Sequence, residues 1–312
     1  MKGKNENEAA SFVRREDYLE YEFRQKGPFW HLCTPGTNQE IIFLDEDDYK
    51  YGVTSAALSL DGSVNLFATA VMSNHLHDIL SGSEAACLAY FERRKEYLRR
   101  YCNAKGRRVD FSRFNCSLLP VESLTMLRTE IAYVNRNGYL VNPDCTPFSY
   151  RWSTGMYYFN PAACEEGRPY IGLTYREKRA VTHSRTLDLP PGCQVKDGAV
   201  HIPSFVKVKE GEKFFRDAHH YFNILSRNLE AYGEVARRLG DEVFLTDNEL
   251  FDALCGICRT QFGQSKPSAL SPNDKISAAV ILKNEYHASN GQIRRMLKLT
   301  DQVVRELFPK CV

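Results

Sequence analysis

His75 and His77 stand two residues apart, with Leu76 between them, near the end of the stretch Val-Asn-Leu-Phe-Ala-Thr-Ala-Val-Met-Ser-Asn-His-Leu-His-Asp-Ile-Leu at 64–80. Imidazole is the commonest protein ligand for transition metals. The stretch is rich in β-branched and aromatic residues and too short for an amphipathic helix, so it reads as one buried strand. Side chains two apart on a strand share a face, so both rings would project together as half of a metal site. The pair alone is equally compatible with ordinary sheet histidines.

A second group lies about sixty residues downstream. The spacing predicts a helix capped by Ser123 and stopped at Gly138, with Leu127, Ile131 and Val134 as its core face. Met126, Glu130, Tyr133 and Asn137 form another stripe, which puts Tyr133 and Asn137 one turn apart on a single face. Taken by itself, this describes a surface tyrosine beside a C-terminal asparagine.

The elements that must hold these groups can be read around them. A short helix over 14–24 ends a polar arm, and a first strand runs from Pro28 to Thr34, closed by Pro35-Gly36. Asp45 caps a helix over 47–60, whose acidic first turn suits the positive end of the dipole. After the central strand, Ser83 starts a helix reaching Gly106, with Cys87, Phe91, Leu98 and Cys102 buried at helical spacing. Its other faces carry Arg93, Arg94, Lys95, Arg99 and Arg100, with Tyr90, Tyr97 and Tyr101 interleaved, and Lys105, Arg107, Arg108 and Arg113 follow. Basic residues mixed with aromatics and few acids suit a phosphate backbone and stacked bases as well as they suit a solvated face.

A strand at 118–121 precedes the Tyr133 helix. An aromatic cluster at 150–159 packs back on the first domain, with a boundary near Pro161. Asp197-Gly198 signals a hairpin, and 212–240 and 246–262 read as helices. Ser271-Pro272 opens a last segment of three short helices, with a tight turn before Asp301, which reads as a helix-turn-helix. Arg294 and Arg295 would hold phosphates, and Gln302 and Arg305 would lie on the exposed face of its recognition helix.

The chain has 312 residues, 43% hydrophobic and 26% charged, which is a globular composition. A net charge of +2 means that any basic surface must be local. No apolar run approaches the roughly eighteen residues of a membrane span. The N-terminus lacks the apolar core of a signal peptide. The ten cysteines are scattered singly except Cys255-Gly-Ile-Cys258, which points to reduced thiols in a cytoplasm. With no second pair, that motif reads as helix core rather than a zinc or redox site.

The combination resembles the single-tyrosine HUH transposases, and among them the REP-associated tyrosine transposase group. Trp30-His-Leu-Cys-Thr34 with Ile42-Phe-Leu-Asp-Glu-Asp-Asp-Tyr49 is similar to the family's opening. Ala70-Val-Met-Ser-Asn-His-Leu-His77 resembles its two-histidine strand, Tyr133-Val-Asn-Arg-Asn137 its tyrosine helix, and Arg151-Trp-Ser-Thr154 its following segment. The match covers about residues 28–160. Ser73 stands where the family usually has Pro, Asp78 where it has a hydrophobic residue, and Gly138 where it has Pro.

For residues 28–160 the resemblance implies a ferredoxin- or RRM-like α/β sandwich with a central antiparallel sheet; with the helical reading of the rest, the expected fold is α+β, the sandwich followed by a mostly helical region with the helix-turn-helix. The chain is then expected to divide into an arm (1–27), a nuclease domain (28–160), a middle region (161–265) that the resemblance leaves unexplained and a DNA-binding segment (266–312). Tyr133 becomes the nucleophile, and His75, His77 and Asn137 become ligands of a divalent metal, Mg²⁺ or Mn²⁺. The implied activity is cutting and rejoining of single-stranded DNA through a 5′-phosphotyrosine, with single-stranded or hairpin DNA as partner. The chain would be cytoplasmic and nucleoid-associated, a monomer or homodimer, with no membrane partner. A DNA-binding regulator with a vestigial site, and a metal-dependent hydrolase in which Tyr133 is incidental, are the alternatives.

Overall fold

The computed structural model describes residues 15–34, 40–140, 149–185, 187–227, 247–286, 288 and 290–308. Pro35-Gly36, Pro143, Pro147, His287, Ser289, residues 1–14 and the expected helical stretch at 228–240 lie outside them. The chain is a mixed α+β protein in two compact units, Met1–Asp241 and Glu242–Val312.

In the first unit, helix α1 (Arg15–Lys26) leads into strand β1 (Phe29–Cys33), helix α2 (Glu46–Ser59), strands β2 (Asn65–Val71) and β3 (Leu76–Ser81), helix α3 (Glu84–Ala104), strand β4 (Ser117–Val121) and helix α4 (Leu124–Leu140). The strands form one antiparallel sheet in the order β2-β3-β1-β4. Helices start where side-chain acceptors cap them: Asp45 accepts from Asp48 N at 2.9 Å, Ser83 from Ala86 N at 3.2 Å, and Ser123 from Met126 N at 3.2 Å.

The stretch at 64–80 is not one strand. Ser73 and Asn74 break it, as turn residues do. Met72 N donates to His75 O at 2.9 Å, and the Ser73 carbonyl accepts from both Ile42 N and Phe43 N at 2.9 Å. The result is the β2–β3 hairpin, with His75 just before β3 and His77 within it.

The sheet has two occupied faces. Helices α2 and α3 pack together on one, and α4 covers the other. Asp78 points to the first face and meets Arg94 and Tyr90 of α3. His77 points to the second and meets the side chains of α4. Cys87, Phe91, Leu98 and Cys102 are buried, as are Leu127, Ile131 and Val134.

The described residues from 162 to 227 belong to the same compact unit as the sheet, and residues 150–158 together with Lys207 cover its edge. β2 is an outer strand, and an open edge invites unwanted pairing. Val71 N donates to Trp152 O at 2.9 Å, Ala70 bridges Ser153, and Lys207 N donates to Leu66 O at 2.7 Å. Tyr150 and Tyr158 hydroxyls donate to Val71 O and Phe67 O at 2.7 and 2.8 Å. The aromatic cluster thus packs back on the sheet as expected. A second, small sheet holds β5 (Arg168–Pro169), β6 (Gln194–Lys196) and β7 (Ala199–Val200). The β6–β7 turn has Asp197 and Gly198 at φ 53° and 81°, the left-handed pair that a two-residue hairpin needs. Helices α5 (Tyr175–Thr182), α6 (Val208–Glu212) and α7 (Ala218–Arg227) complete the described part of the unit.

The second unit holds α8 (Asp247–Phe262), α9 (Pro272–Asn284), α10 (Asn290–Leu297) and α11 (Asp301–Leu307). Its start near 242 takes α8 out of the expected middle region, because Leu250, Leu254 and Cys258 bury their side chains in a core shared with Ala278, Ala279, Leu282, Ile293 and Leu297. No helix among the described residues is long and apolar enough to cross a membrane.

Candidate active site

The site grows from the register of β1 and β3. Cys33 lies opposite His77 and His31 opposite Ile79, so His31 and His77 are diagonal neighbours on the α4 face. The His31 ring is sealed, and its Nε2 lies 3.2 Å from His77 Nδ1. His31 Nδ1 lies 2.5 Å from the Glu130 carboxylate on α4. His75 joins from the turn, its ring centroid 5.1 Å from that of His77, with Nδ1 2.8 Å from Asn74 Oδ1.

Tyr133 is one turn beyond Glu130 on the same helix face. Its ring centroid is 5.6 Å from His77 and 5.9 Å from His31. It is only 2% exposed, so it is no surface tyrosine. The cause is tertiary: the ring lies between α4 and the histidines of the sheet, and α4 is wrapped on its far side too. Thr154 Oγ1 donates to Asn135 Oδ1 at 2.6 Å, Asn135 Nδ2 to the Tyr221 hydroxyl at 3.0 Å, and Arg128 Nε to Phe214 O at 2.6 Å. Asn137 follows one turn after Tyr133 and is 8% exposed.

Whether a divalent cation fits can be judged from the donors. His75 and His77 are adjacent imidazoles. The Asn137 Nδ2 atom is buried with no hydrogen-bond partner among the described residues. An amide turned over about its last torsion presents its carbonyl oxygen at that position instead, a donor suited to a hard cation. Among the described residues no three His, Cys, Asp or Glu side chains are grouped to hold a metal. By donor chemistry alone, two imidazoles and one amide are a set that a divalent ion accepts without fixing its identity.

Cysteine chemistry is less suited to this fold. The eight described cysteines are free thiols. Burial pushes Cys87 and Cys193 up to about 12 and Cys116 up to about 11, which keeps them protonated at neutral pH. Burial also raises Cys258, which sits in the core of the second unit.

The basic helix α3 is far less one-sided than its sequence. Arg94 is fully buried against Asp78 and cannot touch DNA from there. Arg93 pairs with Asp61 at 3.0 Å and donates to Ser59 O. Arg99 and Arg100 are exposed but share Glu96, at 2.7 and 2.6 Å, and their charges and hydrogen bonds hold its carboxyl down at about 2. Lys105 and Arg107 close on Asp48 at 2.7 and 2.5 Å. Glu96 on the same helix and three acids distant in sequence, Asp48, Asp61 and Asp78, thus pair with six of the basic groups. In the second unit Arg294, Arg295, Gln302 and Arg305 are all exposed, with Arg294 and Arg305 both near Asp301, at 3.7 and 2.6 Å.

Sequence reasoning missed the functional geometry of His31 and Glu130. Both carried a signal: His31 follows Trp30 in the first strand, and Glu130 belongs to the stripe of Tyr133 and Asn137. No protein-family model, curated protein or solved structure matches the chain.

Proposed function

We propose that the first unit is a single-strand DNA transesterase of the tyrosine HUH kind. The observation that carries this reading is the meeting of His75, His77 and Tyr133 on one sheet face, with Asn137 one helical turn beyond the tyrosine. The order β2-β3-β1-β4, with helices after β1, β3 and β4, supports a ferredoxin-like sandwich, the scaffold that the resemblance implies.

In this reaction the Tyr133 oxygen attacks the scissile phosphorus and forms an O–P bond. The bond to the 3′-oxygen breaks, and the 3′-oxygen leaves as a hydroxyl carrying one proton in place of that lost by the phenol. The phosphotyrosine keeps the phosphodiester energy, so a different 3′-hydroxyl can reverse the step and join. His75, His77 and Asn137 would hold a divalent cation, Mg²⁺ or Mn²⁺, whose positive charge would offset the negative charge of the phosphate under attack. The sheet supplies rigid placement of the two imidazoles, and α4 fixes the tyrosine relative to them.

The second unit supports a DNA-binding role. The three-residue connection at 298–300 between α10 and α11, with Lys298 at φ 52° and Thr300 capping α11, is the tight turn that a helix-turn-helix requires. Its exposed arginines would hold a duplex stem or flank. Such a protein needs no membrane and would work in the cytoplasm on the nucleoid.

One observation favours a second reading, a regulator that binds DNA without cutting it: Tyr133 is 2% exposed and must be uncovered to react. Incubation with single-stranded and hairpin oligonucleotides in Mn²⁺ separates the two. A denaturation-resistant protein–DNA adduct that disappears in Tyr133→Phe supports the transesterase. Binding with no adduct supports the regulator.

A further inference from the structure

Glu130, His31 and His77 form a hydrogen-bonded file that runs from α4 through β1 to β3, at 2.5 and 3.2 Å, with all three side chains essentially sealed. The chemistry of each member restricts the next. A carboxylate only accepts, so His31 must carry its proton on Nδ1, facing Glu130. A neutral His31 then has a lone pair on Nε2, and the group facing it must donate. That group is His77 Nδ1; with His31 neutral, the His77 proton sits there and its lone pair is on Nε2, whereas a charged His31 would reverse the order.

We propose that Glu130 and His31 are positioning residues that fix the tautomer and ring orientation of His77, making its Nε2 a metal donor. This rests on the reading of His77 as a ligand. The opposite arrangement, with a proton on His77 Nε2, would close that nitrogen to a cation. Partners of this kind behind a ligating imidazole orient it and raise its basicity, and their loss typically weakens metal affinity about 10- to 100-fold. The file also explains why a carboxylate is tolerated in a fully covered helix face: it is held by a donor whose own far side is used.

The test has two parts, neither needing DNA. In metal-free wild-type protein, ¹⁵N-resolved imidazole spectra should show His31 and His77 as neutral Nδ1–H tautomers. Mn²⁺ affinity, followed by paramagnetic resonance, should fall about 10- to 100-fold in the double variant His31→Leu with Glu130→Leu. Removing both together leaves neither Glu130 nor His31 stranded without the other, and His77, its Nδ1 now without that partner, should become a tautomer mixture. If the variant does not fold, the wild-type spectra decide alone: a His77 Nε2–H tautomer, or a charged His31, overturns the proposal. Wild-type Mn²⁺ binding that is unchanged in a folded double variant overturns it while leaving the proposed activity standing. Wild-type protein that binds no Mn²⁺ overturns both the relay and the metal part of the proposed function.

Discussion

The Arg94 guanidinium meets the Asp78 carboxylate between the sheet and α3, and both side chains are wholly buried. Asp78 follows His77 in β3, so the charge that looks out of place in an apolar strand turns its back on the histidines and neutralises an arginine that the helix could not otherwise bury. The Tyr90 hydroxyl donates to the same carboxylate at 3.2 Å, and Arg94 Nη2 donates to Gly52 O at 3.2 Å. Arg94→Met should therefore cost about 3–5 kcal/mol, because it strands a buried carboxylate. Urea denaturation would show this as a lower midpoint, and a shift no larger than that of the exposed Arg100→Met would mean that the pair is not closed in solution.

Replacing His75 and His77 by alanine should abolish divalent-metal-dependent adduct formation. Asn137→Ala should weaken Mn²⁺ binding, while Asn137→Asp should retain it, since a carboxylate is also an oxygen donor. Calorimetric titration of Mn²⁺ checks this. Equal affinity in wild type and Asn137→Ala removes the amide from the ligand set.

Acid should unfold the first unit in part through Asp48. Burial alone would raise this carboxyl, but hydrogen bonds from Lys105, Leu44 N and Tyr101 and the charge of Arg107 outweigh it and hold it below the ordinary carboxylate value. The folded state thus binds the proton less readily than the unfolded chain. The resulting stability is full above the unfolded carboxyl range and is lost as pH falls through the lower folded value. Asp48→Asn should flatten the acid limb of a stability–pH curve, and an unchanged slope would show that other carboxylates dominate it.

The exposed arginines of the second unit should govern duplex affinity. Arg294→Ala with Arg295→Ala and Arg305→Ala should weaken binding to hairpin substrates and lower the slope of log affinity against log salt by roughly one for each phosphate no longer neutralised. Adduct formation on short unpaired oligonucleotides should persist. Hairpin binding unchanged in affinity and salt dependence would leave these helices as a module for docking another protein.

Much of this was legible in the residue order. Caps at Asp45, Ser83, Ser123, Ser271 and Thr300 start helices where local hydrogen bonding dictates. Asp197-Gly198 makes its turn because few residues accept two successive left-handed conformations. The placing of Asn137 one turn after Tyr133 follows from the period of the helix, whereas His75 meets His77 from the turn before β3 and not by the period of a strand. Only the tertiary structure decided the rest. Periodicity does not tell which strand lies beside which, so the register that sets His31 against His77 was invisible. Ser73 and Asn74 end a strand within an apolar run because the backbone of 42–43 takes up the turn carbonyl. Part of the charge is paired across space: Asp78 and Asp48 meet Arg94, Lys105 and Arg107, which in sequence looked like a free basic surface. Tyr133 is buried because its side of α4 faces the sheet, where the rings of His31 and His77 cover it, and only the fold decides which strands lie there.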